Sequence, residues 1–529
     1  MIRHWRYQPD NRGKEKSAQF FLNIKAQKED NMKKQLTKRL VGLLLSSAMV
    51  LSLTACGSKP ASVSETPTTV SESTEEASVV EETPEEPEYD FGGRVVRIGS
   101  YYDMTPDPNA NAIEAALAER IAYVEENYNC KIEFVDLGGN YVDQYVTSVL
   151  AGDPVCDIGY AVTTKVLPSL IEGGIAYPVS DLGVMDFSDY KWRSDVVDAG
   201  FYKGKNYTFL LKDPEIRYGI FWNKTLFDKY GLPNLYDLYK NGEWTWDKFK
   251  EIAIQGNQDT DSDGNIDIYG FNARENLGWC YLYSNDAYVA EKTDAGMKID
   301  LSDPKVVEAL TAMQDFTTNV KFRDAIDWST EGWDSFIKDF RDGKYMMCLE
   351  EFWISYAYLN KEGEAMTDDW GWVPFPKGTS ATDWSCYGKE NGCRFMLNGI
   401  ENPEEVATIY NLITDIAETQ DEWDDLLEDQ LESWADDAET VENVSYIYNN
   451  GIAVINSVNG FSELNTAIND MVSEIAKGES TPQTALDKYQ SIIDAAISDL
   501  ESHDYDADMQ DIVKAAEEAE AAEGEEKSE

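Results

Sequence analysis

Within residues 94–160 the apolar pattern changes period repeatedly, and that alternation limits the chain to few folds. Arg94 to Ile98 reads as a strand. Asn111 to Asn127 reads as a helix with Ile113, Leu117, Ile121 and Val124 on one face. Lys131 to Val135 is a second strand, Tyr141 to Ala151 a second helix with Val142, Tyr145, Val146 and Val149 inward, and Cys156 to Tyr160 a third strand. Strand-helix-strand-helix-strand predicts an α/β fold around a parallel sheet with right-handed crossovers. Ligands of such sheets bind outside the carboxyl ends of the strands. Here those ends are Gly99 to Asp103, Asp136 to Asn140 and Gly159-Tyr160.

Upstream, Lys33, Lys34, Lys38 and Arg39 precede a short apolar run, Leu40 to Leu45, that continues through Ala48 to Leu51. A basic start, a brief apolar core and small residues before a cut describe a secretory signal peptide, too short for a membrane span. Leu53-Thr54-Ala55-Cys56 resembles a bacterial lipobox, which implies acylation (palmitate) at Cys56. Acyl chains add roughly 0.8 kcal/mol per buried methylene, so two or more hold a protein at a membrane. A leader should begin close to its basic region, so Met32 reads as the start and residues 1–31 as a mis-called extension. Residues 56–90 are Ser, Thr, Pro and Glu-rich, a tether that cannot bury enough apolar surface to order itself.

Beyond residue 55 the chain carries 34 basic and 95 acidic residues, a net charge of −61. Nucleic acid is excluded as a partner, because phosphate binding needs a basic stripe. His4 and His503 are the only histidines, so no Ser-His-Asp, Cys-His or His-ligated zinc site can be assembled in the folded part. Carboxylate-pair chemistry survives that count. Cys130, Cys156 and Cys348 read as small buried thiols, whereas Cys386 and Cys393 could bridge a loop at an oxidising cell surface.

Further motifs follow in a fixed order. They are Ala151-Gly152-Asp153-Pro154-Val155-Cys156-Asp157-Ile158, Gly219 to Leu232, Trp244 to Phe249, Phe340-Arg341-Asp342-Gly343-Lys344-Tyr345-Met346-Met347, Trp372 to Gly378, Glu401 to Ala407 and Gly478 to Leu486. Two departures are Cys156 in place of the usual proline and Glu350-Glu351 in place of glycine. In this order the chain, from about Phe91 to Leu500, resembles the bacterial extracellular solute-binding proteins of family 1, which deliver sugars to ABC importers. The resemblance implies a two-lobed periplasmic-binding-protein-like fold, with a hinge of crossing segments and an interlobe cleft. Lobe 1 would be 91–215 plus about 372–422, lobe 2 about 216–371 plus about 423–500, and 501–529 a frayed acidic tail. Crossings are expected near Leu210 to Phe221, Trp372 to Lys377 and Glu418 to Glu428. Asn402 is expected to cap a helix that starts at Pro403.

Sugars present flat C–H faces to aromatic rings and hydroxyls to polar side chains. The expected ligand contacts are therefore Tyr101, Tyr102, Asp103, Asn140, Tyr160, Arg217, Trp279, Trp328, Trp353 and Trp384. Asp259, Asp261, Asp263, Asn265 and Asp267, with Gly264 at the sixth position, follow the pattern of a calcium loop. Gly270 stands where that loop has its bidentate glutamate.

The expectation is a lipid-anchored receptor of an ABC importer on the outer face of the cytoplasmic membrane of a Gram-positive bacterium. It is a monomer that captures a sugar or oligosaccharide by hinge closure, delivers it to the permease subunits, performs no chemistry and requires no cofactor beyond a candidate structural Ca2+. The alternatives are a receptor for a peptide or other polar solute, and a surface glycosidase using two carboxylates.

Overall fold

The first five elements form where the periodicity places them. They are β1 (Arg94–Ser100), α1 (Ala112–Tyr128), β2 (Cys130–Asp136), α2 (Tyr141–Ala151) and β3 (Ile158–Val162). The computed structural model describes residues 89–526 apart from 215, 274–275, 294–295, 322–333, 362 and 451–452. The signal segment, Cys56 and the tether lie outside the described residues.

Asn111 caps α1 by accepting the Glu114 amide, and α2 ends at Gly152, whose φ of 78° favours glycine. β1 runs parallel to β2 and β3, with Val96 opposite Ile132 and Ile98 opposite Ile158. The third strand starts at Ile158, later than the apolar run suggests, because Asp157 anchors the turn before it. Its two carboxylate oxygens accept from Arg94 Nη2 and from the Arg97 amide, each at 2.8 Å.

Two short strands of the same sheet follow, β4 (Ala176–Tyr177) and β5 (Thr208–Phe209). Residues 210–217 then lead to a second sheet of β6 (Tyr218–Asn223), β7 (Met347–Glu351) and β8 (Trp370–Pro374), antiparallel in the order β7-β6-β8. Residues 375–391 bring the chain back, and β9 (Gly392–Leu397) inserts into the first sheet, whose order is β2-β1-β3-β9-β4 with β5 also on β9. The first sheet is thus mixed rather than parallel throughout. Gly392 pairs with Val162 at the carboxyl end of β3 and Met396 with Ile158 at its start, so a chain returning from the second sheet enters at that end and must run backwards.

The helices α3 (Leu277–Tyr283) and α4 (Pro304–Asn319) lie between β6 and β7 in the chain, and α5 (Pro403–Ile413) follows β9. α5 covers the first sheet with α1, burying Val406 and Ile409 against Val96, Ile98, Val124 and Met396. Asn402 occupies the cap position of α5, but its φ is 49° and its side chain makes no capping bond, contrary to expectation. The next helix, α6 (Gln420–Trp434), serves both sheets. Its Trp423 and Leu427 pack on Ile113 of α1, and its Leu431 joins Phe221, Trp370 and Trp372.

After α7 (Ala438–Asn449) and α8 (Ser462–Ala476), α9 (Pro482–Ser502) buries Leu486 and Ile493, with Tyr489, Ile497 and Leu500 packed beside them. The frayed tail is a correction. Residues Tyr505–Glu526 form α10, which rests on α2. Met509, Ile512 and Val513 give it a short apolar stripe, and Met509 is 3% exposed, seated so close to Gly173 that a Cβ there would lie 2.6 Å from its Cγ.

Met509→Ala should remove about 2 kcal/mol of this docking. Hydrogen exchange across α10 should then rise by about 30-fold, with α9 unchanged. Equal exchange in both proteins would mean that α10 is held by something other than its apolar stripe.

Candidate functional site

Four tyrosines meet at the carboxyl ends of the parallel strands. Tyr101 and Tyr102 leave β1, Tyr160 lies in β3 and Tyr141 opens α2. The Tyr101 ring lies 4.8 Å from Tyr102, 5.0 Å from Tyr141 and 5.9 Å from Tyr160 between centroids, and Tyr102 lies 6.1 Å from Tyr160. Tyr101 and Tyr102 are 38% and 43% exposed, so ring faces stand open to solvent. Beneath them the buried Tyr145 hydroxyl donates toward the carbonyls of Gly99 and Tyr160 and accepts from the Tyr160 amide, all at 3.1 Å, which holds the ends of β1 and β3 together. Burial pushes the Tyr145 phenol far above its ordinary range, so it stays a neutral donor.

Glycine is required beside Tyr160. A Cβ on Gly392 would lie 1.8 Å from the Tyr160 hydroxyl. In register with Tyr160 stands Arg394, 8% exposed, its guanidinium 5.6 Å from the Tyr160 ring centroid. Glu114 at the start of α1 accepts from the Asp107 amide at 3.2 Å, and burial raises its carboxyl above the usual range.

The second sheet contributes a chain of polar contacts. β7 ends at Glu351, and the indole N–H of Trp353 donates to Glu351 Oε2 at 2.7 Å. The same oxygen lies 3.5 Å from Arg217 Nη1, and Arg217 Nη2 donates to Asn391 Oδ1. Arg217 lies on residues 210–217, the first crossing segment, and Asn391 on residues 375–391, which form the second crossing in place of the expected Trp372 to Lys377. Asn391 then exchanges bonds with Thr163 after β3: its amide donates to Thr163 Oγ1 at 3.3 Å, and the Thr163 amide donates to its carbonyl at 2.8 Å. Next to it, Thr164 Oγ1 donates to Glu390 at 2.6 Å.

The expected contacts thus divide. Tyr101, Tyr102 and Tyr160 share the ring cluster, and Arg217 and Trp353 share the polar chain. Asn140, exposed, precedes Tyr141, while exposed Asp103 turns back to the Thr105 hydroxyl and amide, which hold its carboxyl below the usual range. Trp279 belongs to the core: it is 1% exposed on α3, stacked at 1° on Tyr387, and donates to Asn469 at 2.7 Å. Trp384 stands apart, edge-on to Tyr239 at 4.7 Å with Lys377 over its ring. Trp328 lies outside the described residues. Sequence reasoning missed Tyr141, Arg394, Glu351, Glu390, Asn391 and Thr163. The strand-end rule would have found Tyr141, but nothing local marks the others, which arrive through long-range pairing.

In the acidic loop, carboxylate oxygens of Asp259, Asp261 and Asp267 come within 4.8 Å of one another. Asp263 and Asn265 instead bond each other at 2.9 Å. Asp259 accepts the amides of Ser262 and Gly264, and Thr260 holds the Asp267 carboxyl below its usual range. Cavities of about 560 and 580 Å³ open elsewhere, one beside Trp246 and Tyr281, the other under α10 beside Asp143 and Thr466.

Cys386 and Cys393 are not bridged. Cys130, Cys156, Cys280, Cys348, Cys386 and Cys393 are all buried and free. Desolvation pushes Cys130 up to about 11 and Cys156 and Cys386 up to about 12, so these thiols stay protonated at neutral pH.

The sequence matches a family model described as bacterial extracellular solute-binding protein over residues 106–410. No curated protein is similar to the chain by sequence. Among solved structures, a cyclo/maltodextrin-binding protein complexed with maltotetraose is similar with a TM-score of 0.55 at 15% identity, covering 77% of this chain and 97% of that one. The maltose-binding periplasmic protein MalE from Listeria monocytogenes, in complex with maltose, gives 0.52 at 16% identity, over 77% of this chain and 98% of its own. UspC of M. tuberculosis gives 0.52 at 15%, over 76% and 100%. At these identities the likeness is one of fold, the two-lobed fold of periplasmic binding proteins.

In residues 91–529, no cysteine should react with a maleimide at pH 8 in the native state, and all six should react after unfolding. Four reactive thiols after unfolding without reductant would restore the disulfide between Cys386 and Cys393.

Proposed function

The chain belongs to the bacterial extracellular solute-binding proteins, and from that premise we propose that its solute is a carbohydrate, bound between two lobes that close on it. The observation that carries this reading is the tyrosine cluster, with two exposed rings at the strand ends of a fold whose similar members hold maltotetraose and maltose. Rings take the apolar faces of sugars, and charged groups such as Arg217 take hydroxyls. Binding drives closure only through contacts made better in the closed state, so a platform on each lobe is the useful arrangement. On this reading Tyr101, Tyr102, Tyr141 and Tyr160 face Trp353 across the cleft, and Asp103 and Asn140 rim it. The lobes are 91–215 with about 372–422, and about 216–371 with about 423–500.

The protein is anchored through acylated Cys56 after removal of the signal peptide. It acts as a monomer at the outer face of a Gram-positive cytoplasmic membrane, hands the sugar intact to ABC permease subunits and does no chemistry. The converging oxygens of Asp259, Asp261 and Asp267 support a structural Ca2+ away from the sugar, with affinity limited by the glycine at position 12.

Calorimetric titration of residues 91–529 against mono- and oligosaccharides, with product analysis, tests the main reading. Saturable binding is expected with the sugar recovered intact, and Tyr160→Ala should weaken it by about 5- to 30-fold, a loss of about 1–2 kcal/mol. Shortened sugar would replace the receptor by a glycosidase, and silence across the panel would leave another polar solute. Calcium in 100-fold excess over its Kd should stabilise the protein by about 2.7 kcal/mol, an effect that Asp259→Ala removes.

A further inference from the structure

Glu351 sits where two structural tasks meet. Its Oε2 receives the indole N–H of Trp353 and faces the guanidinium of Arg217, in a setting where the Glu351 and Arg217 side chains are only 14% and 12% exposed. A carboxylate this withdrawn from water holds its donors through charge-assisted bonds, which are stronger and more directional than neutral ones. Glu351 thereby fixes the plane of the Trp353 ring. Through Arg217 it also reaches Asn391, whose backbone is bonded both ways to Thr163. The second sheet, the first two crossing segments and the end of β3 are thus joined by one continuous set of contacts.

We propose that Glu351 is a positioning residue that couples the orientation of Trp353 to the hinge, so that a ligand seated on the indole is felt by the two crossing segments. The ligand half of this inference rests on the carbohydrate reading above. The hinge half does not. A bend between the sheets changes the separation of Arg217 from Asn391, which is fastened to Thr163 on the first sheet, and that change pulls on the carboxylate holding the indole. Closing the sheets on a sugar and aligning the ring beneath it become one event rather than two, which lowers the ordering cost at binding.

The test uses residues 91–529 carrying Glu126→Cys on α1 and Gln255→Cys on the helix Trp246–Gln255, two exposed sites for spin labels. Native thiols stay silent because they are buried. Pulsed electron resonance then reads the distance distribution between the sheets without ligand. Glu351→Gln, which keeps the shape and removes the charge, should broaden it. Asn391→Ala should do the same, and Asn391→Asp, which returns an acceptor to Arg217, should narrow it again. Against a sugar that the parent binds, Glu351→Gln and Trp353→Phe should each raise Kd by about tenfold, one charge-assisted bond's worth. Their combination should be no worse than the weaker binder alone, since one removes the charge and the other the donor of the same bond.

An unchanged distance distribution in Glu351→Gln overturns the inference whether or not any sugar binds. Additive losses in the double variant overturn the coupling to Trp353. A parent that binds no sugar while the variants still broaden the distribution removes the carbohydrate reading and leaves Glu351 as the hinge brace.

Discussion

The pairing of β9 with β3 is the contact on which the rest of the structure depends. After β5 the chain leaves the first sheet, builds the second and returns only at Gly392, and this strand, buried at every residue, fastens the return. Without it the first sheet would lose the neighbour of β3, and residues 375–391 would have no fixed end. Its direction follows from its point of entry. Entering at the carboxyl end of β3, it places Asn391 beside Thr163 and Arg394 beside Tyr160, so one pairing closes the core and completes the candidate site.

What could be read from the sequence follows the range of the interactions. β1 to β3 with their helices were legible because each declares itself by local period and its partner is the next element along. The start of β3 was misplaced by the apolar Cys156, since an aspartate held by two arginine residues interrupts the strand in a way no period records. Tyr101, Tyr102 and Tyr160 were reachable through the strand-end rule. Arg394, Asn391 and Glu351 were not, because each owes its place to strands remote in sequence. Trp279 shows the converse: an indole chosen for chemistry turns out to fill a core, where its polar edge is satisfied by Asn469. The tail misled for a composition reason, as its acidic majority hid the three apolar residues that dock α10.

Charge is distributed in keeping with this division. A chain with a net −61 beyond residue 55 repels itself over its whole surface. Three of its withdrawn cations are paired: Arg193 between Asp195 and Asp213, Lys191 on Asp415, and Arg217 at Glu351 and Asn391. A buried ion pair is weak evidence for stability, because desolvation offsets much of its attraction. Its directional demand is a different matter. The Arg217 arrangement, which joins the end of β7 to the residue before β9, specifies a relative geometry more than it deepens the fold.

The ring cluster and the polar chain then have different thermodynamic roles. On the proposed reading the exposed phenols bind sugar through area and shape, and lose little conformational entropy in doing so, because each has few torsions and is already leaned on by its neighbours. They cannot by themselves favour one arrangement of the sheets, since all four belong to elements of the first sheet. Discrimination between open and closed arrangements needs a group held by the other sheet, and on the proposed reading Trp353 on its carboxylate is that group. Moving an equilibrium from 1:99 to 99:1 takes about 5.5 kcal/mol of differential affinity. Stacking on one indole supplies about 0.5–1.5 kcal/mol, so closure requires further contacts that form only when the sheets approach. On the proposed reading that remaining difference comes from the polar groups strung between Glu351 and Glu390, because Arg217, Glu390 and Asn391 lie on the segments that join the two sheets, where small rotations of the hinge alter their geometry most.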